Sequence, residues 1–68
     1  MSWRVKALEH AKAEDPKESV GLLLNIKGKK VYYPCHNLST YSQQCFILDP
    51  EDYVKADGLG QIISVIHS

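Results

Sequence analysis

The stretch ESVGLLLNIKGKKVYYPC, Glu18 to Cys35, constrains this chain more than any other segment. Val20, Leu22, Leu24 and Ile26 fall on one face of an extended segment and Leu23 on the other, the two-residue period of a strand. Apolar residues on both faces predict an interior strand. KGKK then turns the chain, with Gly28 free to take positive φ. Val31 to Cys35 form the return strand of a hairpin. Pro34 has no amide to donate to a ladder, which puts this second strand at an edge or gives it a bulge.

The flanking segments build outward from this hairpin. Ser2 to Glu14 read as a helix whose apolar stripe is centred on Ala7, Leu8 and Ala11 and flanked by Trp3 and Val5. Lys6, Glu9, His10 and Ala13 lie off that stripe, so His10 is expected to be exposed. Pro16 stops the helix, and Asp15 before it is biased away from helical angles. LSTYSQQ reads as a polar loop and Cys45 to Leu48 as a short strand. DPED starts a second helix, with Asp49 as cap, Pro50 at the first helical position and Asp52 in the first turn. That helix ends near Gly58 or Gly60. Gln61 to Ser68 is β-branched and apolar on both faces, as a central strand would be. The order helix, strand, strand, strand, helix, strand gives an α+β (α/β-like) fold with helices packed on one mixed sheet.

Sixty-eight residues make a single domain at most, residues 1–68. A chain of this size buries only about 60% of its unfolded surface. Eight acidic and eight basic side chains cancel, which is not the footprint of a nucleic-acid binder. The cluster Lys27, Lys29 and Lys30 reads as a solvated hairpin tip. No apolar run reaches the roughly 20 residues of a membrane span, and charges interrupt the first ten residues, so no signal peptide is read there. The expectation is synthesis in a reducing cytoplasm, with Cys35 and Cys45 as free thiols.

Two residues could carry chemistry. Glu18 opens the first strand on the face of Val20 and Leu22, either at a solvated end or in a cleft where a carboxylate can serve as general base. His67 shares a face with Ile63 and Val65 at the mouth of the last strand. Alone it is a structural or exposed histidine; with a second histidine two residues on, it would grip a zinc ion. Cys35, His36, Cys45 and His67 form an alternative zinc set, but their spacing matches no compact knuckle. Cys35 and His36, being neighbours, point to opposite faces of a strand. His36 otherwise reads as a loop residue, and the four tyrosines as core or rim packing.

Taken together, HAKAEDPKESVGLLL, VYYPCHNLS and FILDPEDYVKADGLGQIISVIHS resemble the start of a JAMM/MPN metallopeptidase domain. The likeness is in particular to the version found in phage tail-tip assembly proteins of the lambda K type, and it runs from about His10 to Ser68. Family members show His-Ala at a helix end, Pro-x-Glu followed by Gly, then Tyr-x-Pro-Cys-x-Asn. An apolar segment ending His-Ser-His-Pro follows, and an aspartate further on.

The resemblance implies a cytidine-deaminase-like fold, of which this chain is the N-terminal portion. It implies Glu18 as general base, His67 as first zinc ligand, Gly21 as the glycine packed beside the site, and no catalytic role for Ser68. The implied reaction is zinc-assisted hydrolysis of a peptide or isopeptide bond. The second histidine and the aspartate have no counterpart here, so the expectation is a domain cut within its metal motif, binding no zinc and inactive by itself. An interior strand left at a sheet edge would invite homodimerisation. The competing expectation is a noncatalytic assembly module with phage tail proteins as partners, found in the bacterial host cytoplasm or in the virion tail. A cell-wall peptidase domain often follows in such proteins.

Overall fold

The computed structural model describes residues 2–41, 43 and 45–68. In chain order the elements are α1 (Trp3–Glu14), β1 (Val20–Ile26), β2 (Lys29–Cys35), α2 (Pro50–Leu59) and β3 (Gln61–His67). The α+β class holds. The sheet has three strands in the order β2-β1-β3, so the strand with the most continuous apolar run is the central one.

Both ladders are antiparallel, and the expectation of a mixed sheet is corrected. The reason is topological. β2 and β3 run in the same direction, but the connection through α2 carries the chain over β1. The two like-directed strands are therefore never neighbours. Cys45–Leu48 is likewise no strand: one isolated bridge, Asn37 to Leu48, is all the pairing it makes among the described residues. β3, expected to be central by composition, lies at an edge, and Ile63 and Val65 stay about half exposed.

The hairpin turn is Lys27-Gly28, with φ of 52° and 82°. Positive φ at both central residues matches the right-handed twist of the strands it joins. Pro34 lies on the β2 edge and is exposed, as its missing donor requires.

Alternation along β1 divides the core between the two helices. Val20, Leu22 and Leu24 are fully buried and cluster with Cys35 and with Ala56 of α2. The opposite face carries Gly21 and Leu23, paired with Pro34 and Tyr32, and α1 packs there. The helix ends follow their caps. Ser2 Oγ accepts from the Arg4 amide at 3.2 Å, and α1 stops at Asp15, immediately before Pro16. Asp49 accepts from the Glu51 amide at 2.9 Å, with Pro50 beginning α2.

α1 is turned differently from the expected stripe. Leu8 and Val5 are exposed, whereas Trp3, Ala7, His10 and Ala11 are half-buried. His10, expected in solvent, bonds through Nδ1 to the hydroxyl of buried Tyr32 at 2.7 Å. A buried hydroxyl needs a partner, and α1 presents one. Glu14 lies 3.7 Å from His10 Nε2. An acceptor on that side favours the ring proton at Nε2, leaving Nδ1 to accept from Tyr32. Burial, with the nearby Cys35 and Glu14 adding to it, pushes the Tyr32 phenol up to about 12.

Candidate functional site

Glu18 stands two residues before β1 and His67 is the last residue of β3. The register pairs Val20 with His67. Antiparallel pairing therefore brings together two residues separated by 49 positions: His67 Nδ1 lies 3.0 Å from Glu18 Oε1. The carboxylate is mostly covered and the imidazole about half exposed. Nδ1 also lies 3.2 Å from the Ser68 carbonyl. Both neighbours of Nδ1 are acceptors, so Nδ1 carries the proton and donates. Nε2 then keeps its lone pair, and among the described residues it has no hydrogen-bond partner. That tautomer, set by a carboxylate on the far nitrogen, is the one a metal-ligating histidine uses.

Three features that the sequence reading missed hold the pair. Ser68 bonds Ser19 twice: the Ser19 amide donates to Ser68 Oγ at 2.9 Å, and the Ser68 amide to the Ser19 carbonyl at 3.2 Å. This pins the end of β3 beside Glu18. Phe46 stacks on the His67 ring, with centroids 4.7 Å apart. Asn37 donates from Nδ2 to the Glu18 carbonyl at 2.9 Å. An asparagine two residues past a strand end signals a turn, but nothing local in the sequence says that its amide reaches Glu18.

On the α1 side a groove of about 440 Å³ opens beside His67 and Ser68. Trp3, Ala7, Leu8, Tyr32 and Ile66 give it apolar walls. Gly21 lies against the Tyr32 ring, where an added Cβ would fall 2.3 Å from the hydroxyl oxygen. Its smallness is required by Tyr32.

The alternative set Cys35, His36, Cys45 and His67 is not brought together. Cys35 is buried, and burial, helped by Asp52 and Asp49, pushes its thiol up to about 11. Cys45 is exposed and lies 3.0 Å from Ser39 Oγ. Among the described residues, the group of three or more metal-type side chains is His36, Asp49 and Asp52, and its groups are already engaged. Asp52 Oδ2 accepts from the His36 amide at 2.7 Å and faces the His36 ring nitrogen at 2.9 Å, while Asp49 caps α2. Burial opposes ionisation of Asp52, but the His36 bonds outweigh it and hold the carboxyl below its usual range. His36, expected as a loop residue, thus fastens the end of β2 to the start of α2.

The fit to a zinc site is partial. His67 offers one imidazole whose Nε2 has no hydrogen-bond partner among the described residues, and Glu18 a carboxylate beside it. The described residues assemble no three-ligand set around His67, where a catalytic zinc takes three protein ligands.

With this geometry in hand, comparison with known proteins finds a relative. The chain is 38% identical over 61 residues to the tail tip assembly protein K of Escherichia phage N15. The alignment covers 90% of this chain and 25% of that protein. The chain thus spans about a quarter of the length of the curated relative it matches. No protein-family model matches the chain, and no solved structure matches it.

Proposed function

We propose that this chain is the N-terminal portion of a JAMM-type zinc peptidase or isopeptidase domain belonging to a phage tail assembly protein. The observation that carries the reading is the Glu18–His67 pair, 3.0 Å apart, with His67 Nε2 left available. The similarity to a tail tip assembly protein supports the setting. In the complete domain His67 supplies one zinc ligand and Glu18 the general base. Zinc, when bound, lowers the pKa of its water to about 7 and polarises the scissile carbonyl. Among the described residues one zinc ligand of the usual three is on offer, so the 68-residue chain is expected to bind no zinc and show no hydrolysis.

A second reading is an assembly module that works by contact with other tail proteins or with a second copy of itself. The observation in its favour is the β3 edge, where Ile63 and Val65 stand exposed.

The test is zinc stoichiometry after dialysis, on the 68-residue chain and on a chain extended to the length of the relative. Zinc and peptide hydrolysis are expected only in the longer protein. There, Glu18→Gln keeps fold and zinc but abolishes hydrolysis, and His67→Ala weakens zinc binding. Unchanged zinc content in His67→Ala removes that residue from the site. A stoichiometric zinc in the short chain overturns the single-ligand reading.

A further inference from the structure

Asn37 uses both halves of its side-chain amide. Nδ2 donates to the Glu18 carbonyl at 2.9 Å and to the Cys45 carbonyl at 3.1 Å. Oδ1 accepts from the Ser39 amide and from the Ile47 amide, each at 3.0 Å. Cys45 and Ile47 flank Phe46, and Phe46 stacks on His67. His67 in turn bonds Glu18. The contacts close a ring: Glu18, Asn37, the 45–47 segment, Phe46, His67 and back to Glu18.

We infer that Asn37 is the positioning residue of this site, fixing Glu18 from its backbone and His67 through Phe46 so that carboxylate and imidazole meet. Its importance for hydrolysis rests on the proposed role of that pair; the positioning itself does not. The two halves of the amide separate the functions. The acceptor half turns residues 37–39 and holds Ile47. The donor half alone reaches Glu18 and Cys45. An aspartate is isosteric and keeps the acceptors, but it sets a carboxylate oxygen against two carbonyls.

The experiment is Asn37→Asp in the 68-residue chain without metal, followed by NMR. Cross-peaks between the Phe46 and His67 rings, and the nitrogen shifts that report the Nδ1–H tautomer, are read beside the far-UV spectrum. The variant is expected to keep its secondary structure, lose most of the Phe46–His67 cross-peak intensity and mix the two tautomers. A folded variant with cross-peaks and tautomer unchanged overturns the assignment. In the unmutated chain, the Asn37 side-chain amide protons should exchange up to about tenfold more slowly than those of exposed Gln61, the ratio one net hydrogen bond allows. Equal exchange also overturns it, even where Asn37→Asp fails to fold. In the longer protein the variant should lower kcat about a hundredfold at unchanged KM, as misplacement by an ångström does. Lost cross-peaks in a parent with no peptidase activity would refute the hydrolase reading and leave the positioning role standing.

Discussion

Gly21→Ala is the most informative single perturbation of this fold. A Cβ at this position would lie 2.3, 2.4 and 2.5 Å from Oη, Cζ and Cε1 of Tyr32, so the ring must move. It has little freedom to do so. Tyr32 is 5% exposed and its hydroxyl is held by His10 at 2.7 Å. Overpacking of this kind costs about 1–3 kcal/mol, and losing the Tyr32–His10 bond adds about 0.5–1.5 kcal/mol. The alanine returns about 0.4–1 kcal/mol by stiffening the unfolded chain. The net expectation is a loss of about 0.5–4 kcal/mol. Native domains have about 0.05–0.15 kcal/mol per residue, so this is a large share of the stability of a 68-residue chain. At about 4–8 °C per kcal/mol for a domain of this size, the melting midpoint falls by about 2–32 °C. Thermal unfolding followed by circular dichroism measures it, within a double-mutant cycle with Tyr32→Ala. Removing the ring clears the space, so Gly21→Ala in that background should be neutral or slightly stabilising. If the glycine substitution costs as much without the ring as with it, the steric argument is wrong.

Two further outcomes test other parts of the structure. Burial opposes ionisation of Asp52, but its bonds to His36 outweigh that and hold the carboxyl below the ordinary aspartate range; its contribution is therefore complete above the unfolded-state pKa and lost as pH falls through the lower folded pKa. Acid unfolding of Asp52→Asn should show a stability deficit at neutral pH that disappears at low pH, and a pH-independent deficit would refute the electrostatic account. At the β3 edge, Ile63 and Val65 are exposed with no lysine or proline to guard the strand, whereas β2 carries Lys29, Lys30 and Pro34. Sedimentation should show concentration-dependent self-association that Val65→Lys abolishes, and a strict monomer at high concentration would remove the edge as an interaction surface.

Local physics made much of this fold legible. The alternation of Val20, Leu22 and Leu24 set β1 and its interior place, Pro34 set β2 at an edge, and Pro16, Asp49 and Pro50 set the helix limits. Each effect acts within a few residues, so the amino-acid order alone determines it. Glu18 and His67 were legible as candidates from their places at strand ends, but their roles as general base and zinc ligand came only through the family resemblance of their surroundings.

Tertiary structure decided the rest. β3 has a central strand's composition but an edge strand's place, because strand order depends on where the α2 crossover sets the chain down. Cys45–Leu48 looked like a strand, yet the Asn37 amide takes the Ile47 amide and the Cys45 carbonyl that further pairing would need. His10 looked exposed until Tyr32 required a partner. The meeting of Glu18 with His67 is of the same kind: it is a matter of register between strands at opposite ends of the sequence, and register is set by the packing of the whole sheet.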